Sequence, residues 1–210
     1  EVGVAVVNIG GATTSLVVYE EGDIIHTSVL PIGSEHVTND LAIGLRSSID
    51  VAERVKIEYG NCVSKNIPKK EKMDLAAAGS EVSEQVELKY IAEIVEARME
   101  EILEKINEKL VEIGRAGLLP AGVVFTGGGS KISGLIDLTK EALGLPASLG
   151  YPMDLSSVTN KINDLSFSTA IALVNWGVSM SGGRGHKSRR IKSVDKVSGQ
   201  VKNWFKSLVP

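Results

Sequence analysis

The segment GVVFTGGGS, residues 122–130, is the most informative stretch of this sequence. Its first five residues predict a buried strand, and the glycines that follow predict a turn where a flat ligand can approach the backbone closely. The spacing is not that of a P-loop, and no acidic residue follows about twenty positions later, as a dinucleotide-binding βαβ unit requires. Taken alone, the segment is also compatible with an ordinary glycine-rich loop.

A second glycine turn, NIGGATT at residues 8–14, lies near the start of the chain. A buried strand over 1–9 is predicted before it, and strands over 14–19 and 24–30 are predicted after it, which together form a three-stranded meander. Backbone N–H groups in such a turn, with threonine hydroxyls beside them, suit phosphate oxygens. An isolated pair of glycines is more often a plain hairpin turn.

Helices dominate the middle of the chain. The motif AERVK, residues 52–56, places Glu53 and Lys56 three positions apart on one helix face, where they could also be a simple surface ion pair. The remaining predicted elements are helices at 34–47 (capped by Ser34), 50–59 (capped by Asp50), 86–113, 134–143 and 168–180, with a weak strand at the end of 67–78 and a brief strand at 147–149.

This order of elements predicts the fold class. Strands first, helices between, and then a strand and a helix again indicate an α/β unit with a mixed sheet and an inserted helical subdomain over about 34–115. We expect this unit to span 1–180. A flexible basic linker, rich in glycine and serine, is expected over 181–193, and a separate helix over 194–210.

In chain order, the NIGGATT turn, the AERVK helix and the strand ending in TGGG resemble the second half of the actin, Hsp70 and sugar-kinase superfamily. Within it, the sequence is most similar to the FtsA family of actin-like bacterial division proteins. The similarity covers nearly the whole chain and includes VLPIG at 29–33, VTNDLA at 37–42 and EIVEAR at 93–98. It implies an actin-like, ribonuclease H-like ATPase lobe.

The resemblance also implies a nucleotide site. The NIGGATT turn corresponds to the second phosphate loop of the superfamily and TGGG to its adenosine loop, while Glu53 and Lys56 correspond to residues that hold the ribose and adenine side of ATP. The residues implied to bind ATP are Asn8, Gly10, Gly11, Thr13, Thr14, Glu53, Lys56, Gly127, Gly128, Gly129 and Lys131.

Two departures from the family pattern bear on catalysis. Asn8 stands where the superfamily usually has an aspartate that helps to organise the magnesium shell, and Ala12 replaces a glycine. Because an amide is a poorer ligand for Mg²⁺ than a carboxylate, we expect ATP binding to survive better than hydrolysis, with at most weak ATPase activity.

The first half of the family pattern is absent and the chain starts at Glu1. We therefore expect a domain or processed piece that binds ATP and Mg²⁺ weakly or not at all by itself.

The charge of the chain is unevenly distributed. The formal net charge is −3, but residues 184–210 carry eight lysines and arginines against one aspartate, a net charge of +7, which leaves −10 for the rest. An acidic body with a basic tail indicates an anionic partner for the tail alone.

The tail also carries an apolar stripe. At helical pitch its large apolar residues share one side, with Lys202 and Lys206 beside or opposite them. The stripe consists of Val197, Val201, Trp204, Phe205 and Leu208. Such a helix suits an anionic membrane surface, where each basic residue adds about 1 kcal/mol of attraction. A helix docked on the body is one alternative. A nucleic-acid tail is another, but it leaves Trp204 and Phe205 poorly accounted for, so no nucleic-acid partner is predicted.

The resemblance implies a structural adaptor: a protein that binds ATP, polymerises like actin and ties FtsZ filaments to the cytoplasmic face of the cell membrane. It places Arg98 and Glu101 in the subdomain that meets the tail of FtsZ, although the two could simply be a solvated pair. A PilM-type pilus-assembly protein, with the same nucleotide fold and another partner, is the alternative. Half of a sugar or acetate kinase is the enzymatic alternative, but it needs a catalytic aspartate from elsewhere.

Other functional classes have less support. His26, His36 and His186 are scattered, without a cysteine or carboxylate cluster at metal-ligand spacing, so no metal site is assigned. The single cysteine, Cys62, allows no internal disulfide and fits a reducing compartment. No apolar run reaches the roughly 18 to 20 residues that span a bilayer, and no leader peptide is expected. These features fit a peripheral protein of the cytoplasm.

Overall fold

The computed structural model describes residues 2–152 and 164–182. The chain divides into two units, Glu1–Ala172 and Leu173–Pro210, and the contacts given below lie within the first. The predicted helix at 194–210, with its membrane-binding residues, and nearly all of the predicted linker at 181–193 lie outside the described residues.

Strands and helices alternate along the chain much as predicted. The elements are β1 (Val4–Ile9), β2 (Thr14–Glu20), β3 (Asp23–Leu30), α1 (Ser34–Gly44), α2 (Ile49–Tyr59), β4 (Lys72–Asp74), β5 (Gln85–Glu87), α3 (Leu88–Glu112), β6 (Val123–Thr126), α4 (Leu135–Leu143), β7 (Ala147–Leu149) and α5 (Ser168–Gly182). Short 3₁₀ turns lie at Ser64–Asn66, Leu75–Ala78, Gly128–Lys131 and Leu165–Phe167.

A five-stranded mixed sheet forms the centre of the first unit, in the order β3-β2-β1-β6-β7. The first three strands make the predicted antiparallel meander, while β6 and β7 run parallel to β1. Alternate residues on one face of the three central strands are fully buried, as the two-residue period of a strand requires. These are Ala5, Val7, Ile9, Leu16, Val18, Val123 and Phe125.

The long helix α3 supplies much of the remaining core. Its apolar residues recur every three or four positions, so they form one stripe along the helix. The fully buried members are Ile91, Ala92, Val95, Met99, Ile102, Leu103, Ile106 and Leu110. The helix packs against α1 and α4. Across residues 2–152 and 164–182, no helix combines the length and apolar character needed to cross a membrane.

Both predicted helix caps are wrong. Gly33, not Ser34, precedes α1, and its N–H donates to His36 Nδ1 at 3.2 Å. Ser48, not Asp50, caps α2, because its hydroxyl oxygen accepts a hydrogen bond from the Val51 N–H at 3.4 Å. In both cases a residue one or two positions before the expected cap already has the extended backbone that a cap position needs.

The polar stretch before α3 contains a hairpin that the sequence indicated only in part. β4 lies inside the stretch 67–78, but the end of that stretch, where the weak strand was predicted, is a 3₁₀ turn. β4 pairs antiparallel with β5, which was not predicted. The Asp74 carboxylate closes the connection by accepting hydrogen bonds from the Ala76 N–H at 2.9 Å and the Ser83 hydroxyl at 2.6 Å. Each strand has only three residues, too few to show the alternation by which a strand is recognised.

Candidate functional site

The candidate site lies at the carboxyl ends of β1 and β6. These strands run parallel with Asn8 beside Thr126, so the turns that follow them meet at one edge of the sheet. The first residues of α1 lie against both turns. Open α/β sheets commonly bind ligands at such a carboxyl edge.

Glycine is required where the two turns touch. Gly127 has a φ of +88°, and a β-carbon added there would lie 2.2 Å from Asn8 Oδ1. A β-carbon on Gly129 would lie 2.4 Å from Ile9 Cγ2. The two glycine turns, predicted from separate parts of the sequence, therefore form one continuous surface. Gly128 is less confined, because its nearest neighbour would be the Ser166 hydroxyl at 3.3 Å.

The turn between β1 and β2 is anchored through its carbonyl groups. The Gly10 N–H donates to the Thr13 carbonyl at 2.9 Å, and the carbonyls of Gly10 and Gly11 accept from the N–H groups of Ser34 and Glu35, each at 2.9 Å. The first amides of α1 are thus bound within the protein. The amides of residues 11–13 have no hydrogen-bond partner among the described residues.

The polar side chains of this turn have different roles. Thr14 is fully buried and its hydroxyl donates to the Ile32 carbonyl at 2.8 Å, so it holds the turn in place and does not face a ligand. Thr13 is exposed. The Asn8 amide donates to the Thr169 hydroxyl at 3.2 Å, which joins the turn to the first residues of α5.

Glu53 and Lys56 belong to a network in which Lys56 is buried and Glu53 is partly exposed, so they are not the simple surface pair considered above. The Lys56 side chain is only 8% exposed. Its Nζ donates to Glu53 Oε2 at 2.6 Å, to the Thr38 hydroxyl at 2.8 Å and to the Ser34 carbonyl at 3.3 Å. The Thr38 hydroxyl donates to the same Glu53 oxygen at 2.5 Å. All three ammonium protons are therefore used, whereas Glu53 Oε1 has no partner among the described residues.

The network also fixes the charge of Glu53. Burial raises the pKa of this carboxyl, but the hydrogen bonds from Lys56 and Thr38 and the charge of Lys56 outweigh burial, so the pKa lies below its ordinary value. Glu53 is consequently an anion at neutral pH, with one oxygen held and the other available as an acceptor.

A cleft of about 380 Å³ opens beside this network. It brings together five of the predicted residues: Glu53, Lys56, Gly128, Gly129 and Lys131. Its wall also includes residues that sequence reasoning missed, namely Ser34, Ile57, Ile132, Ser133 and Ser166. Most of these flank a recognised motif and could have been included with it. Ser166 lies far from both motifs in sequence, so no local signal could have indicated it.

Lys131 links the TGGG turn to the segment that carries Ser166. Its Nζ lies 2.8 Å and 3.1 Å from the two carboxylate oxygens of Asp164. Hydrogen bonds from Lys131 and Ser166 lower the pKa of Asp164 to about 2. The pair is exposed on the surface, so it orients this segment more than it stabilises the fold.

A second groove, also of about 380 Å³, lies between α1 and α3. Arg98 lines this groove and donates two hydrogen bonds to the Asp40 carboxylate, at 2.5 Å and 2.9 Å. Its Nη1 donates a third hydrogen bond to Glu101 at 2.5 Å. The hydrogen bond to Asp40 raises the pKa of Arg98. Ile43, Tyr90, Ile94 and Ala97 provide an apolar wall beside these charges. Arg98 and Glu101 are therefore part of an ordered groove and not a freely solvated pair.

Cys62 is chemically protected. It is fully buried, and burial, together with the nearby Glu96 carboxylate, raises the pKa of its thiol to about 12. A thiol that stays protonated at neutral pH is a poor nucleophile and metal ligand.

The architecture is that of actin-like proteins. MreB5 of Spiroplasma citri bound to ADP matches with a TM-score of 0.63 at 17% identity, covering 88% of this chain and 56% of that one. A PilM–PilN type IV pilus biogenesis complex matches with a TM-score of 0.61 at 21% identity, and the match covers 84% of this chain and 46% of that chain. The MamK double helical filament gives a TM-score of 0.54 at 19% identity, and the match covers 80% of this chain and 54% of that chain.

Among actin-like proteins, the chain belongs to the FtsA family: the family model for cell division protein FtsA matches residues 5–172. FtsA of Pseudomonas aeruginosa is 35% identical over 178 residues, which cover 85% of this chain and 43% of that protein. FtsA of Escherichia coli K12 is 28% identical over 215 residues, which cover 99% of this chain and 50% of that protein. The chain thus spans about half the length of these curated relatives.

Proposed function

We propose that this chain is the second lobe of an actin-like cell-division adaptor that binds ATP, polymerises, and tethers FtsZ filaments to the cytoplasmic membrane through residues 194–210. The observation that carries the proposal is the FtsA family match over residues 5–172. The similarity to FtsA of Escherichia coli covers 99% of this chain and so extends into the basic tail.

The carboxyl-edge site fits a nucleotide. The free amides of residues 11–13 suit phosphate oxygens, the free Glu53 oxygen suits a ribose hydroxyl, and Gly128 and Gly129 allow a flat base to approach the backbone. Lys56 acts through Glu53, since its own protons are all used. The solved MreB5 structure contains ADP, which supports a nucleotide in this fold.

Mg²⁺ fits this lobe less well than ATP does. Asn8 supplies an amide where a carboxylate would bind the cation better. Mg²⁺ would be held chiefly through the phosphates of ATP and the other half of the site, where it would neutralise their charge. At most weak ATPase activity is therefore proposed.

The attachment of FtsZ is proposed at the groove of Arg98 and Glu101. The groove combines charged groups held in fixed positions with an apolar wall, the combination that a short peptide needs for specificity and affinity. Polymerisation is proposed from the actin-like fold, which the MamK filament shares. The similarity to the PilM–PilN complex, at 21% identity, concerns the fold alone, and the FtsA family match favours the division role.

Binding of a peptide that comprises the C-terminal tail of FtsZ tests this proposal, with fluorescence anisotropy as the measurement. Arg98→Ala and Glu101→Ala should each weaken binding at least about tenfold, equivalent to about 1.4 kcal/mol, because each removes a charge held within the groove. Glu108→Ala, an exposed change on the same helix, is the matched control and should leave the Kd unchanged. Equal affinities of the Arg98→Ala and Glu108→Ala variants, or no binding by the unchanged chain, would contradict the proposal.

A further inference from the structure

One edge of the central sheet is open. β3 is the last strand on its side of the sheet, and among the described residues no strand pairs with its outer edge. It is eight residues long, whereas β7 at the opposite edge has three. An open strand of this length presents a row of main-chain groups to which another extended chain can bond.

The hydrogen-bond pattern of the hairpins shows which groups of β3 face outward. The Gly10 N–H donates to the Thr13 carbonyl, so these residues form a bonded pair, and bonded pairs alternate along an antiparallel ladder. By this alternation the even-numbered residues of β2 bond to the even-numbered residues of β3 over 26–30. Thr27 and Val29 therefore point their N–H and carbonyl groups away from β2. Both residues are exposed, and neither N–H has a partner among the described residues.

This segment lacks the features that keep edge strands apart. Edge strands commonly carry lysine or proline, which make pairing with another chain unfavourable. The sequence of residues 24–30 is IIHTSVL, with no lysine, arginine, carboxylate, proline or glycine. The ladder with β2 has one register shift, which leaves Ile25 without a partner there. Ile25 and Val29 are 41% and 66% exposed, so apolar surface borders the open edge.

The segment is complementary to a second copy of itself. When two β3 strands run antiparallel about a two-fold axis at Thr27, each Thr27 lies opposite the other, and Ile25 of one copy lies opposite Val29 of the other. The outward groups of the two Thr27 residues then bond to each other. Branched side chains placed opposite one another stabilise a sheet, and no like charges meet along the contact.

The same arrangement accounts for two polar atoms that lack partners. His26 Nε2 and Ser28 Oγ are buried and have no hydrogen-bond partner among the described residues. Because side chains alternate along a strand, both residues lie on the face of β3 that carries the buried Leu30. In the two-fold pair, His26 of each copy lies opposite Ser28 of the other, with Cβ atoms about 4.5–5.5 Å apart. The ring nitrogen can then accept a hydrogen bond from the hydroxyl.

We propose that this chain forms a two-fold dimer through the outer edge of β3, so that the central sheets of two copies join into one continuous sheet. The contact is satisfied once two copies have met. It is therefore separate from the repeating contact that builds a filament, and the inference goes beyond the proposed function.

Charged side chains at Thr27 test the pairing. Thr27 is exposed and lies on the two-fold axis, so Thr27→Lys places two like charges opposite each other in the dimer without disturbing the core of either chain. Thr27→Glu does the same with the opposite sign. An equimolar mixture of the two variants places a lysine opposite a glutamate, which favours the mixed dimer. Thr27→Val is the matched control, because it keeps a neutral, branched side chain.

Sedimentation velocity of the full chain at increasing concentration measures the dimer Kd. The unchanged chain and Thr27→Val should have similar values, and each charged variant alone should dimerise about fivefold more weakly or worse. The mixture should return close to the unchanged value, a recovery that unfolded variants could not give. Equal dimerisation of all these samples, or an unchanged chain that stays monomeric throughout, would overturn the proposal.

Cross-linking tests the register of the pair. The native cysteine, Cys62, is fully buried, so a cysteine introduced at an exposed position of β3 is the accessible thiol. A short bis-maleimide should join Thr27→Cys to itself, because the two thiols meet at the axis. Val29→Cys should remain monomeric, since the two copies of residue 29 lie about 13 Å apart along the strands. Equal cross-linking of the two variants, or none with Thr27→Cys, would contradict the two-fold pair.

Discussion

At the scale of single residues, Lys56 is the most constrained side chain of the candidate site. It is a lysine with an 8% exposed side chain whose three protons are all bonded, and it fixes one oxygen of Glu53. Lys56→Met keeps the length of the side chain but leaves Glu53 and Thr38 without their shared donor. We expect a loss of about 1–2 kcal/mol in the free energy of unfolding, below the value for a fully buried pair because Glu53 is half exposed.

Urea denaturation of the unchanged chain and the variant measures this loss. Lys131→Met is the matched control, because Lys131 lines the same cleft but forms its ion pair on the surface, so no measurable change is expected. If Lys56→Met were as stable as Lys131→Met, the network around Lys56 would not contribute to the stability of the fold.

At the scale of elements, two glycines of the 3₁₀ turn after β6 should differ in how well they tolerate substitution by alanine. Gly129→Ala places a β-carbon 2.4 Å from Ile9 Cγ2 and 3.0 Å from Ser34 Cβ, inside the contact between β1, α1 and the turn. We expect a loss of about 1–3 kcal/mol, the range for overpacking a core. Gly128→Ala meets only the Ser166 hydroxyl at 3.3 Å, which can rotate away, and should be tolerated.

Thermal unfolding of the two alanine variants measures the difference. The Tm of Gly129→Ala should fall by several degrees and that of Gly128→Ala should stay close to the unchanged value. Equal Tm values would show that the turn can move away from β1, which would contradict the close packing described here.

Elements with a long apolar periodicity or a distinctive glycine-rich composition were predictable from the sequence. Contacts between segments that are distant in sequence were not. The stripe of α3 and the meander follow from periodicity, and both glycine turns follow from composition. The hairpin of β4 and β5 is too short to show a period. The role of Thr14 was misassigned because the Ile32 carbonyl that binds its hydroxyl belongs to a later segment. Ser166 reaches the cleft only through the fold.

At the scale of the whole molecule, the chain joins an acidic body to a basic tail. The body holds the groove proposed for FtsZ, and residues 194–210 hold the sequence proposed for the membrane, so this one chain contains both ends of the proposed tether. It spans about half the length of its curated FtsA relatives, and the ATP site is proposed to need the other half. Tethering should therefore be testable without nucleotide.

Co-sedimentation of FtsZ with anionic phospholipid vesicles, in the presence of this chain with and without residues 194–210, tests the central claim most directly. We predict that FtsZ pellets with the vesicles only when the complete chain is present, and that raising the salt concentration weakens the effect, because the basic tail binds through screened charges. FtsZ that lacks its C-terminal tail should stay in the supernatant. FtsZ that pellets equally well after residues 194–210 are removed, or that never pellets with the complete chain, would contradict the account.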